Sequence, residues 1–346
     1  MCSAFFLCPG FFGSFSFKAP YISVKQGGES LENWDSFYYL FPVYFRQFWG
    51  QAVKEYHRLE EVRLRIGKPV IVRFHEGEYF LDGQGRLTKS VGDAYLLNNG
   101  ELEDIWAQIC HDSPYAYEDE VKQGFLTVPG GHRIGVAGQV VIEKNGRVRT
   151  LKNIASLNIR IAHECLGSAD ALMPYLYEDG SLCNTLLISP PGCGKTTLLR
   201  DIIRQVSDGS SYAEGMTVGV VDERSEIAGS YMGVAQNDVG IRTDVLDACP
   251  KIYGMMMLIR SMAPQVVAID ELGGMEDVQA MRRVASCGCK LLATVHGSGP
   301  QDLEKKAFMQ ELISEGLFSR YVVLHKNNGR PEIRDIYKKG LVRCCG

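Results

Sequence analysis

The 346-residue sequence has no CxxC pair, no long apolar run, no internal repeat and no excess of positive charge. Its 11 cysteines are odd in number, and the close pairs Cys287/Cys289 and Cys344/Cys345 are too few for a recognisable zinc site. The expected state is therefore reduced thiols in a cytosolic protein. No stretch reaches the ~18 apolar residues that a membrane-spanning helix requires. A net charge of −4 and a pI near 6.0 exclude a global electrostatic footprint for nucleic acid, although a local basic face stays open. The opening, MCSAFFLCPGFFGSFSFKAP, lacks a basic residue before Lys18, and Pro9, Gly10 and Gly13 interrupt it. That excludes an ordinary signal peptide. A disordered tail or a misplaced start is the expected reading, with a membrane-touching surface as the alternative.

What is present is a phosphate-binding loop within TLLISPPGCGKTTLLR. Thr185–Ser189 is a short apolar strand run, Gly192-Cys193-Gly194-Lys195-Thr196 is a turn, and Leu198, Leu199, Ile202, Ile203 and Val206 recur at helical spacing. Such a turn directs backbone N–H groups and a helix N-terminus at a phosphate chain. Pro191, Gly192, Cys193, Gly194, Lys195, Thr196 and Thr197 are the expected ATP-binding residues. Lys195 would reach the β- and γ-phosphates, and the Thr196 hydroxyl would hold Mg²⁺. Ser189 stands where the usual G-x-x-x-x-G-K-[ST] pattern has its first glycine. The strand–turn–helix context carries the assignment over the bland alternative, a glycine-rich turn that happens to contain GKT.

A second element supports hydrolysis. Val266–Ile269 is an apolar strand that runs into Asp270-Glu271. Asp270 would complete the Mg²⁺ shell begun by Thr196, and Glu271 would orient or deprotonate the attacking water. Further polar groups follow other apolar runs: Asp222-Glu223-Arg224 after Val218–Val221, and Thr294 and His296 at the end of Leu291–Val295. Ligands of open α/β sheets sit at the carboxyl ends of strands. His296 is therefore a candidate for contact with a γ-phosphate or the attacking water, against a plain turn-capping role. Asp222 and Glu223 could polarise water or merely be solvated. Arg224 and Arg242 are candidate cations for the γ-phosphate, and Arg133 and Arg160 could act on a neighbouring subunit. A surface ion pair is the alternative for each.

Strand-like runs separated by helical stretches from Leu182 onward predict an α/β fold of the P-loop, RecA/AAA-like kind, a mostly parallel sheet sandwiched by helices. A smaller α+β domain precedes it. The expected division is an N-terminal extension over 1–50, the small domain over 51–165, a linker over 166–181, the P-loop domain over 182–340 and a tail over 341–346. Ser36–Gln51 reads as an aromatic helix packing on the small domain. Helices are expected at Glu101–Cys110, from about Ser113-Pro114 to Lys122, at Glu276–Ser286 and at Asp302–Glu315. The methionine-rich Ile252–Met262 segment reads as a core helix.

SPPGCGKTTLLRD, VVDERSEIAG, IRTDVLDACPK, MMMLIRSMAPQVVAIDELGG and ATVHG, with EVRLRIGKP and VPGGHRIGVAGQVV ahead of them, resemble the stage III sporulation protein AA family. That family is itself similar to the type II and type IV secretion ATPases. The resemblance spans about residues 55–340. It implies a cytoplasmic ATPase of endospore-forming bacteria, peripheral at the membrane on the mother-cell side, which serves the channel to the forespore. It also implies a self-assembled ring, a hexamer, docked on membrane proteins of that channel. An Asp-rich box and a His box flank the phosphates in secretion ATPases, and Glu223 and His296 fall at the matching places. Asp270-Glu271 departs from their usual Gly-Glu.

The expected catalytic set is Lys195, Glu271, His296, Glu223 and Arg242. Thr196 and Asp270 form the metal set, and ATP, Mg²⁺ and water are the only small molecules. Nucleic acid is not an expected partner. Two rival functions stay open: a polynucleotide-stimulated ATPase using the basic segment Lys144–Arg160, and a nucleotide-gated scaffold with little turnover.

Overall fold

Near-continuous apolar runs along the central strands bury both faces of one large sheet. The computed structural model describes residues 34–111, 117–327 and 330–344. The phenylalanine-rich opening and the expected helix start at Ser113-Pro114 lie outside the described residues.

The first sheet has seven strands: β1 (Leu59–Arg65), β2 (Ile71–Phe74), β3 (Gly77–Leu81), β4 (Leu87–Thr88), β5 (Phe125–Thr127), β6 (Arg133–Ile142) and β7 (Val148–Arg160). Their order is β4-β3-β2-β1-β7-β6-β5, all antiparallel. In β1, Leu59, Val62 and Leu64 turn inward. They meet Leu102, Ile105 and Ile109 of the helix Asn99–Ile109, whose N-terminus is closed by a capping box between Asn98 and Glu101. The aromatic segment before β1 joins this same core. Phe37, Phe45 and Trp49, from three short helical pieces, and Phe41, from the turn between the first two, are fully buried against it. Within the expected extension over 1–50, the described part, from Trp34 onward, is packed on this core.

A short hairpin of β8 (Tyr177–Glu178) and β9 (Ser181–Leu182) leads into the second sheet. The expected linker is itself packed: Ala169, Leu172, Met173 and Leu176 are buried in the second core. The eight strands there are β10 (Thr185–Ser189), β11 (Val218–Asp222), β12 (Thr243–Asp247), β13 (Val266–Ile269), β14 (Lys290–His296), β15 (Arg320–Asn327), β16 (Arg330–Lys338) and β17 (Val342–Arg343). Their order is β12-β11-β13-β14-β10-β15-β16-β17, parallel through β15 and antiparallel after it. The period of two places Leu187, Val266 and Ala268 on one face, under the helix Lys195–Asp208. Leu186, Ile188, Val267 and Ile269 lie on the other, under the helices Lys251–Ser261, Met275–Ser286 and Ala307–Glu315. The single helix expected over Asp302–Glu315 is two, Pro300–Leu303 and Ala307–Glu315. This is the α/β P-loop class that the sequence implies.

Polar contacts join the two sheets. Arg133 Nη1 donates to Glu226 at 2.6 Å, Gly130 N–H donates to Gln236 at 3.1 Å, and the hydroxyls of Tyr117 and Tyr231 are 3.0 Å apart.

Candidate functional site

Strand β14 lies between β10 and β13. The end of β14 therefore falls between the phosphate loop and the two carboxylates that follow β13. Strand register alone brings Ser189 opposite His296 and Ile269 opposite Ala293.

The loop is held open by two left-handed glycines, Gly192 and Gly194, each at φ 71°. A side chain at Gly194 would also collide with Pro331 of β16, whose Cγ lies 2.9 Å from the Cβ position. The helix Lys195–Asp208 starts at Gly194 with no side-chain cap. Its first-turn N–H groups are thus free of the side-chain partners that usually satisfy them. Cys193 is buried beneath the loop, its Sγ 3.9 Å from the Pro191 carbonyl oxygen, while Pro191 and Gly192 are exposed. Lys326 of β15 places its ammonium 3.6 Å from the Cβ position of Gly192. Neither Lys326 nor Pro331 carries a sequence signal for this location, because both arrive through the β15–β16 return.

Thr196 Oγ1 donates to Asp270 Oδ2 at 2.6 Å. The other Asp270 oxygen accepts from the Thr294 hydroxyl and from Glu271 N–H, the latter at 3.0 Å. Thr294 Oγ1 in turn accepts from Glu271 N–H at 2.9 Å. These bonds fix Glu271, whose backbone lies in the left-handed region at φ 54°, a conformation unfavourable for a residue with a side chain. Non-glycine residues held this way cluster at functional sites.

Glu271 Oε1 lies 2.7 Å from His296 Nε2 and 3.7 Å from Lys195 Nζ. Lys195 Nζ is 3.3 Å from His296 Nδ1. A neutral imidazole with its proton on Nε2 meets both contacts: it donates to Glu271 and accepts from the Lys195 ammonium. Arg224 Nη1 donates to Glu271 Oε2 at 3.1 Å. Partial burial raises the Glu271 pKa, but the Lys195 charge, the His296 hydrogen bond and Arg224 more than offset it. The carboxyl is held below its ordinary value, so it is ionised at neutral pH.

Two expected catalytic residues stand apart from this network. Glu223 forms an exposed ion pair with Lys251 rather than touching the loop. Arg242 lies elsewhere in the domain. It precedes β12 and so lies at the amino ends of the parallel strands, opposite the loop. Its guanidinium donates to the carbonyl of Ser207 at 2.9 Å, in the last turn of the very helix that the loop begins. That 14-residue helix spans about 20 Å.

Asp222 is neither solvated nor at the site. It is 2% exposed and accepts backbone N–H bonds from Glu226, Ile227 and Ala228 at 2.8–2.9 Å. Burial raises its pKa to about 6 against the lowering effect of those bonds. Arg200, on the loop's helix, donates to the carbonyls of the same Glu226 and Ile227 at 2.7 and 2.5 Å. Arg160 pairs in register with Arg133 across β6–β7, in the first sheet.

Comparison with known proteins places this arrangement. The model of the family described as sporulation stage III, protein AA matches residues 32–343. Stage III sporulation protein AA of Bacillus subtilis (strain 168) is 43% identical over 289 residues, 83% of this chain and 89% of that protein. Among solved structures, the Legionella pneumophila ATPase DotB is similar at a TM-score of 0.56 and 16% identity, over 86% of this chain and 81% of that one. The pilus retraction motor PilT with bound ADP is similar at 0.53 and 14%, over 83% and 81%. At these identities the likeness to DotB and PilT is one of fold. The match along nearly the whole chain, together with the 43% identical relative, decides the family: this chain belongs to the sporulation stage III, protein AA family.

Proposed function

We propose that the chain is an ATP-hydrolysing motor that energises the channel between mother cell and forespore. The observation that carries the reading is the continuous network from Thr196 through Asp270 to Glu271, His296 and Lys195. It joins a residue of each element that phosphoryl transfer to water requires.

Thr196 and Asp270 suit Mg²⁺, a hard cation that takes oxygen donors and keeps waters and phosphate oxygens as its other ligands. Their oxygens already meet at 2.6 Å, and no cluster of three or more metal-binding side chains exists among the described residues to favour a softer metal. When bound, Mg²⁺ neutralises phosphate charge. The chain's own residues supply the rest. The loop amides and Lys195 bind the phosphates. Lys195, drawn to the polyphosphate, leaves Glu271 and His296. Glu271, ionised and fixed by Thr294 and Asp270, then accepts a proton from water. Arg224 and His296 hold its two oxygens in orientation.

The ring of copies, the docking on channel membrane proteins and the mother-cell cytoplasm complete this proposal. The family supports them. No described helix is long and apolar enough to cross a membrane. Phosphate release by the purified protein with ATP and Mg²⁺, against Lys195→Ala as blank, tests the reading. Equal, near-blank rates for the wild type and Glu271→Gln would replace it with a nucleotide-gated scaffold.

A further inference from the structure

The basic segment that opens Lys144–Arg160 forms the turn and outer part of the β6–β7 ribbon, and it serves nothing in the ATP site. Beyond Ala137 both strands leave the sheet's core, and nearly every residue from 137 to 149 is exposed. Register then decides what the ribbon presents. Val140 pairs with Leu151, Val141 with Thr150, and Ile142 with Val148. The shift between the last two pairs inserts Arg149 as an extra residue. Directly paired residues share a face of an antiparallel ribbon. The bulge therefore places Val148 and Leu151, an odd number of residues apart, on the same face as Val140 and Ile142.

The result is an aliphatic stripe. It starts at Leu151, against the first core, and runs outward through Val140, Val148 and Ile142, which are 47%, 41% and 62% exposed. At its outer end stand Lys144, Arg147 and Arg149, with Lys152, paired with Gln139, on the ribbon's other face, against the single acid Glu143. None of the four makes an ion pair among the described residues. The chain as a whole carries −4, so the ribbon is a local reversal of sign.

We propose that this ribbon docks on an anionic lipid surface, its aliphatic stripe entering the acyl boundary and its tip cations Lys144, Arg147 and Arg149 meeting the headgroups. Aliphatic side chains gain by leaving water, and basic residues near a negatively charged leaflet add to the same attraction. Either alone holds a protein weakly, whereas two signals together anchor it. A polynucleotide would use the charges but not the stripe. Residues 138–160 contain no aromatic side chain on which a base could stack. The inference does not depend on ATP turnover.

The test is flotation of the full-length protein with phosphatidylcholine vesicles, with and without phosphatidylglycerol. Binding is expected only with the anionic lipid. It should fall about tenfold or more in an Arg147→Glu/Arg149→Glu variant. It should fall also in Ile142→Ser/Val148→Ser, which leaves the charge unchanged. All these positions are solvent-exposed, so unchanged thermal melting of both variants checks the fold. Four results would overturn the proposal. One is no anionic-vesicle binding by the wild type. Another is equal binding by the serine variant. The third is oligonucleotide binding that needs the arginines but not the aliphatic residues. The fourth is a ribbon variant that changes the mass of the free protein, which would assign the stripe to contacts between copies.

Discussion

His296 donates from Nε2 to Glu271 Oε1 across 2.7 Å, so the imidazole orients the carboxylate that would activate water. Its other nitrogen faces Lys195, so the same ring touches the loop's cation and the base.

Replacing His296 by alanine should lower kcat about tenfold to a hundredfold with little change in KM, because it orients a catalytic group rather than binding phosphate. His296→Gln keeps an N–H donor for Glu271 and should recover part of the loss. Steady-state phosphate release on the three proteins checks this. A KM change without a kcat change would give His296 a binding role instead.

Glu271→Gln should lower turnover about 10²–10⁴-fold while ATP still binds. Lys195→Ala should lose binding as well. Fluorescent-nucleotide titration beside phosphate release separates the two.

Gly194→Ala puts a side chain at φ 71° and into Pro331. The conformation alone costs about 1–2 kcal/mol. The loop must shift to relieve it, so nucleotide affinity should fall about tenfold or more, read by the same titration. Pro331→Gly in the alanine background removes the collision but not the strained φ, and should restore only part of the affinity.

Asp222 gives a pH signature. Its folded pKa, about 6, lies above the ordinary carboxyl value of 3.8. The folded state therefore favours the protonated acid. The associated stability is complete below pH 3.8 and is lost as pH rises through about 6. The shift corresponds to roughly 3 kcal/mol. Carboxyl chemical shifts should show a midpoint near 6 at Asp222. The melting curves of Asp222→Ala should lack this component of the pH dependence. A midpoint near 4 would show that the backbone bonds outweigh burial.

Arg242→Ala should lower stability by about 0.5–1 kcal/mol, through loss of bonds to the last carbonyls of the loop's helix. Turnover per folded molecule should stay at the wild-type rate. Denaturant melts and phosphate release on the same sample test both halves. A large fall in kcat at unchanged stability would return Arg242 to the site.

The central strands were legible because β10, β11, β13 and β14 are buried on both faces and read as near-continuous apolar runs. Strand β12, with sequence TDVLD, is the edge strand and only half-buried, so water-facing acids dilute its pattern. The pattern therefore did not show that Arg242, a candidate cation for the γ-phosphate, stands at the amino end of a strand. The antiparallel β16, RPEIRDIYK, hid for the same reason: residues 331–338 are all exposed or half-buried. Thr196, Asp270 and Glu271 were legible because local motifs specify them. The Arg224–Glu271 and Pro331–Gly194 contacts were not, since each depends on which strands become neighbours.

The bonds of Arg200 and Arg133 to one short segment carry a mechanical meaning. Arg200 grips the carbonyls of Glu226 and Ile227 from the helix that the phosphate loop begins, and Arg133 grips the Glu226 carboxylate from the start of β6. Strand β6 continues for 10 residues to Ile142, at the outer end of the aliphatic ribbon. A tilt of the helix on phosphate binding would thus pull on a strand about 30 Å long that bends at the irregularity between Ala137 and Gln139. Its far tip is where that movement would be largest.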